Sequence, residues 1–275
     1  MNLNNPRAVV FFPGEGSFEG ITDLCIAAHQ DDVEIMAYAP ISACYGKGSF
    51  CAVIVADGAG SPRTGEFAGY TDEEMKAVRV KEQETAARLG GYRAVVQLGY
   101  PSSKVKDATN ADAVEDLCTL IRTIRPKRLY THNPADKHPT HVAVSLRVIE
   151  AVRRLSEEYR PEVFVGLEVW RGLDWLCDGD KVCLDTGAYP ELAKELLTVH
   201  RSQVAGGKRY DEAAIGRRAA NATFFASHET DETNSMNFGM DLLPLLDRAV
   251  TPAAYVAEYI GRFAKEVTDT IGGLS

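Results

Sequence analysis

Short β-branched runs alternate with amphipathic helical stretches, Gly and Pro punctuate the joints, and the histidines gather just after strand-like runs. Together these predict an α/β protein, with a Rossmann-like, mostly parallel sheet flanked by helices and extended by a C-terminal elaboration. One domain is expected over residues 1–275, its core covering about residues 21–169 and the elaboration about 170–275.

Leu24 to Ala28 reads as a buried strand, followed by a turn and a short helix around Val33 to Ala39. Phe50 to Ala56 is a second strand, ending in the loop Asp57-Gly58-Ala59-Gly60. Thr71-Asp72-Glu73-Glu74 has the form of a capping box, so a helix should open there and stop at Gly90-Gly91. Ala94 to Leu98 gives a third strand. A helix from about Asp112 to Ile124 follows, closed by the restriction that Pro126 places on Arg125. Arg128 to Thr131 is a short fourth strand, and Pro139 suits the first position of a helix reaching about Glu157. Val163 to Val169 is another strand. Beyond Trp170 the pattern supports a strand near Lys181 to Leu184, helices near Pro190 to His200 and Asp211 to Ser227, and a last helix after Pro252.

Composition narrows the partners. A formal net charge of −9 argues against nucleic acid and anionic membranes, which reward a basic surface. No apolar run reaches the roughly 20 residues of a membrane span. The polar start, Met1 to Arg7, lacks the basic-then-apolar order of a signal peptide, so a cytoplasmic location is expected. The six cysteines, at 25, 44, 51, 118, 177 and 183, form no CxxC pair and read as free thiols. Self-association is left open.

Parallel sheets bind ligands at the carboxyl ends of their strands, and two polar clusters fall at such ends. The first is His29-Gln30-Asp31-Asp32, after the first strand; the second contains His132, Asp136, His138 and His141, after the fourth. Two imidazoles and a carboxylate are a common ligand set for a catalytic zinc, which keeps one position open. Such a nitrogen and oxygen site also accepts iron or another divalent ion.

The string Ala28-His29-Gln30-Asp31-Asp32-Val33-Glu34 resembles the Ala-His-Pro-Asp-Asp-Glu signature of the PIG-L-type (LmbE-like) zinc N-deacetylases. His138-Pro139-Thr140-His141 resembles that family's His-Pro-Asp-His motif, and Arg79-Val80-Lys81-Glu82 its Arg-x-x-Glu helix. The likeness covers about Ile21 to Val169. It implies His29, Asp32 and His141 as metal ligands, Asp31 as general base and His138 as the group that steadies the oxyanion, in cationic form. Arg79 falls on a substrate-contacting position, and Asp136 is placed beside it on the substrate side. The implied reaction is removal of acetyl from an N-acetylglucosamine-type sugar or glycoconjugate, a small-molecule substrate. The departures are Gln30 for Pro, Thr140 for Asp, and Val33 inserted before Glu34. Thr140 removes a carboxylate that would keep His138 protonated, and Asp136 is the nearest replacement.

Two other readings compete. A metal-containing sugar-binding protein without catalysis would need the ligands but not Asp31. A nucleotide-binding Rossmann protein would use Gly14-Glu15-Gly16-Ser17-Phe18-Glu19-Gly20, yet Ile21 starts a strand-like run where the phosphate-holding helix belongs. Asp57 and Arg63 are placed at the substrate mouth, and Trp170 and Trp175 are read as core residues, with stacking on a sugar face as the alternative. His200-Arg201-Ser202-Gln203 is similar to a His-x-Ser-Gln stretch near the end of these enzymes, and reads equally as a helix terminus.

Overall fold

Strands buried on both faces need continuous apolar runs, and Asp23–Ala27 and Phe50–Ala56 supply them. They form the middle of a sheet in a computed structural model that describes residues 1–14, 16–205 and 207–275. Among the described residues the strands are β1 (Val9–Phe11), β2 (Asp23–Ala27), β3 (Phe50–Ala56), β4 (Ala94–Tyr100), β5 (Arg128–His132), β6 (Val163–Leu167), β7 (Val182–Asp185) and β8 (Met236–Asp241). Their spatial order is β1-β4-β3-β2-β5-β6-β8-β7. The five central strands, β4 to β6, are parallel, whereas β1, β8 and β7 join antiparallel at the two sides. Helices cover both faces over two apolar clusters, one around Leu24, Val53 and Leu117, the other around Ile54, Met36 and Leu196. This is the expected Rossmann-like α/β fold.

The chain leaves β2 toward β3 on one side and returns through β4 to β5 on the other. The order of strands therefore reverses between β2 and β5, where an open sheet leaves a crevice at its carboxyl end. His132, the last residue of β5, seals the back of that crevice by accepting the Ala28 amide at Nε2, 2.8 Å away.

Local signals land where their chemistry requires. The Thr71 hydroxyl accepts from the Glu74 amide and the Glu74 carboxylate accepts from the Thr71 amide, opening the helix Asp72–Leu89. Gly91, at φ 63°, lets the chain turn away after it. Arg125 departs from the extended form expected before Pro126; it closes the helix Asp112–Ile124 in a left-handed conformation, with its amide on the Ile121 carbonyl. The Gly14–Gly20 stretch leads into β2 without a helix among the described residues, so the phosphate-binding turn is not built there; Glu15 lies outside the described residues.

The C-terminal elaboration is larger than its sequence suggests. β8, absent from the sequence reading, inserts between β6 and β7. Glu168 holds this insertion by accepting from the Leu173 and Phe238 amides, both at 3.0 Å. On the other face the carboxylate of Glu34, 0% exposed, accepts from Tyr92 at 2.7 Å and Gln83 at 2.9 Å, and meets His200 Nε2 at 3.0 Å. Arg218, in the helix Tyr210–Phe224, donates to the carbonyls of Glu34 and Ile35 at 2.7 and 3.0 Å. Val33 before Glu34 thus leaves Glu34 in the core as an anchor for the last third of the chain.

Glu34→Ala should destabilise the protein by about 3 kcal/mol, because it strips a buried polar network of its acceptor. Urea denaturation measures this, and a loss below about 1 kcal/mol would contradict the anchoring role. Thr71→Ala should lower Tm by a few degrees through loss of the cap. The capping box depresses the Glu74 pKa, so its contribution is present above the ordinary carboxylate value and lost as pH falls through the folded one. The Tm gap between wild type and Thr71→Ala should therefore narrow in acid.

Candidate active site

β2 ends at Ala27 and the chain turns through His29, Gln30 and Asp31 into the helix Asp32–Met36. Asp31 takes φ 100°, a conformation an L residue rarely adopts and that must be held by its surroundings. Arg79 holds it. Its guanidinium, 1% exposed, donates to the Gln30 carbonyl and stands 3.3 Å from the Asp31 carboxylate, while Glu82 fixes its other end at 3.1 Å. Ser202 completes this arrangement by donating its amide and hydroxyl to Glu82, each at 2.7 Å. Gly58 is needed beside it, since a Cβ there would lie 2.8 Å from the Gln30 side-chain oxygen.

Asp32 folds back over the turn, its Oδ2 accepting the His29 amide at 2.8 Å. The same oxygen lies 3.2 Å from His29 Nδ1 and 3.3 Å from His141 Nε2, and those two nitrogens are 3.3 Å apart. His141 comes from the first turn of the helix Pro139–Arg154, which Pro139 starts. Three donors on one face of a tetrahedron around zinc, each at about 2.0–2.2 Å, stand roughly 3.3–3.6 Å apart. The observed edges, 3.2, 3.3 and 3.3 Å, lie close to that range, so these residues would fit a single divalent ion. A second grouping, His132 with Asp136 and His141, is buried, and none of its three residues lines the cavity beside His29.

The charges arrange themselves around this triangle. Burial raises the Asp32 pKa, but His141, the His29 hydrogen bond and His132 outweigh it and keep the carboxylate ionised. Burial lowers the His141 pKa, yet Asp32 and Asp136 more than compensate and raise it. Asp31 differs from its neighbour: burial, opposed by Arg79 and assisted by Asp32, pushes it up to about 6. His138 is pushed down to about 4 by burial and by His141 and His29. The expected imidazolium is thus a neutral ring near neutral pH; without an acidic residue at 140, the pull of Asp32 and Asp136 does not outweigh burial.

Asp136 requires another correction. Its side chain is wholly buried, accepts the His138 and Trp170 amides, and lies 3.6 Å behind His141 Nδ1. It backs a ligand candidate instead of meeting a substrate. Arg79 touches the cavity only from behind Asp31. Asp57 pairs with Lys76 at 3.3 Å, and Arg63 folds onto Asp72 and the carbonyls of its own loop, so neither forms the mouth. Trp170 packs against the second apolar cluster and also lines the cavity, whereas Trp175 packs against the first.

The cavity has a volume of about 700 Å³ and lies over the carboxyl ends of β2 to β6. His29, Asp31, Asp32 and His138 form its floor, and Trp170, Gln203 and Tyr210 rise as walls. The last two come from the C-terminal third. Sequence reasoning had no periodic signal for Tyr210, but the His200-Arg201-Ser202-Gln203 string did point to this segment.

Comparison with known proteins gives a family-model match to part of the chain and several structures of similar fold. Residues 24–152 match the family model described as PIG-L, GlcNAc-PI de-N-acetylase. The N,N'-diacetylchitobiose deacetylase of Pyrococcus horikoshii is similar in structure, with a TM-score of 0.65 and 20% identity over 85% of this chain and 88% of that one. A conserved protein of Thermus thermophilus has a TM-score of 0.62 and 22% identity, covering 82% of this chain and 96% of its own. The 4-carboxy-2-hydroxymuconate hydratase of Pseudomonas putida shares the fold at a TM-score of 0.57 and 17% identity, with 82% and 97% covered. At such identities the likeness speaks for the fold, which evidently hosts more than one reaction. The segment similar to that family model contains His29, Asp31, Asp32, Arg79, His138 and His141.

Proposed function

We propose that the chain is a metal-dependent hydrolase that removes acetyl from an N-acetylated amino sugar or glycoconjugate. The observation that carries this reading is the His29–Asp32–His141 triangle, two of whose residues line the cavity floor, with a second, differently tuned carboxylate beside it. A metal-containing binding protein has no use for Asp31 in a strained backbone conformation with a raised pKa. The family description, a de-N-acetylase, and the deacetylase among the structural relatives support the same reaction class.

His29, Asp32 and His141 would hold the ion, zinc by their donor set and spacing, or iron or another divalent ion in its place. When bound, it supplies Lewis acidity toward water and the amide carbonyl. Asp31 accepts a proton from water as the water adds to the acetyl carbon, and returns it to the nitrogen as the C–N bond breaks, so acetate and a free amine leave. A carboxylate held at about 6 suits both directions of that transfer near neutral pH. His138, a neutral ring 5.2 Å from His29 centre to centre, donates N–H to the oxygen on which charge develops. Asp136 keeps His141 oriented from behind.

Two variants divide these roles. Asp31→Asn should retain the metal and lose roughly 10²–10⁴-fold in kcat, the range for a missing general base. His141→Ala should lose metal as well as turnover, read by elemental analysis of protein purified without chelator. Full activity of metal-free wild type on N-acetylglucosamine conjugates would overturn the reading. Equal loss of metal in both variants would remove Asp31 from the role of base.

A further inference from the structure

The chain carries a net charge of −9, yet one wall of its cavity is basic. Lys137 lies on the loop after β5, Lys208 and Arg209 precede the helix Tyr210–Phe224, and Arg217 lies within that helix. Arg209 is already neutralised by Asp211 and Glu212. Lys137, Lys208 and Arg217 form no ion pair among the described residues. All three gather at Trp170. The ammonium groups of Lys137 and Lys208 stand 5.9 and 5.3 Å from the indole centre, and Arg217 donates to the carbonyl of Val169. The Trp170 ring is in turn stacked 6.3 Å from His138, so the basic wall adjoins the reactive floor.

Cations brought together from separate segments repel one another, and the indole offsets that only weakly. A ligand anion would neutralise them. We propose that Lys137, Lys208 and Arg217 bind an anionic group, a carboxylate or a phosphate, carried by the substrate beside its N-acetylated sugar, and select for substrates bearing one. The sugar in this statement rests on the deacetylase reading; the anion site does not.

Binding tests the anion site without turnover. Trp170 is one of two tryptophans, so quenching of intrinsic fluorescence reports occupancy of this wall in the full-length protein. The probes are methyl glucosaminide, carboxymethyl glucosaminide and glucosamine 1-phosphate. Both anionic sugars should bind about 10-fold tighter than the methyl glycoside, the scale of a charge-assisted contact, and added salt should erode the difference. The stronger of the two identifies the anion. K137M and K208M should each reduce the preference several-fold, and together abolish it. Equal binding of the three sugars, no binding of either anion at millimolar concentration, or a preference surviving the double substitution would overturn the proposal.

Turnover of the corresponding N-acetylated sugars separates this from the proposed reaction. An anion preference in binding with no acetate release would sink the deacetylase reading and leave the anion site standing. Acetate release with equal kcat/KM for neutral and anionic sugars would do the reverse. A ratio of about 10 that collapses in the double variant, through KM more than kcat, is the expected result.

Discussion

A buried arginine governs this site. Arg79 reaches out of the helix Asp72–Leu89 and meets, within one guanidinium, the Gln30 carbonyl, the Asp31 carboxylate and the Glu82 carboxylate. A planar fork with five donors can do this; a lysine cannot span the same three acceptors. Because Asp31 sits at a positive φ that its own backbone disfavours, the turn between β2 and the following helix depends on that clamp. The turn in turn aims His29 and Asp32 at each other. Fixing one peptide conformation therefore fixes two of the three donors in the triangle.

The third donor is placed by different means. His141 is carried by the helix Pro139–Arg154, with Asp136 behind it and His132 stacked against it, 4.0 Å between ring centres. These two halves come from either side of the strand-order reversal and meet across the β2–β5 pair. The same crevice places two aspartates one residue apart in unlike surroundings. Asp32 faces imidazoles and stays charged; burial and the neighbouring Asp32 raise the Asp31 pKa against the pull of Arg79, which is shared with Glu82.

Much of this was legible in the sequence because it depends on local chemistry. The capping box at Thr71, the strand Phe50–Ala56 and the helix opening at Pro139 are written in adjacent residues, and the structure places them there. Both His/Asp clusters follow strands that any apolar pattern would reveal. What escaped depends on long-range pairing. β8 has mixed polarity, Met-Asn-Phe-Gly-Met-Asp, and becomes a strand only between β6 and β7. Trp170 and Tyr210 pack against the core and line the cavity at once, a double role that shows only when the C-terminal segment is placed. Asp136 lies two residues from His138 in sequence, and its proximity in space to His141 shows only in the fold.

The staple between Glu34 and His200 spans 166 residues, and Ser202 reaches Glu82 across 120. On the ribosome the first half of the site is therefore made long before the groups that close it. Until the segment around residues 200–218 has emerged, Glu34 has two partners instead of three, Glu82 lacks Ser202, and β6 has no β8 along its edge. A nascent or proteolysed chain ending near residue 152, where the family match stops, would carry both motifs and the whole donor triangle on an unfinished scaffold. Such a fragment exposes an open strand edge, the kind of surface that pairs with other chains. Quality control of this protein thus reduces to whether its last third arrives.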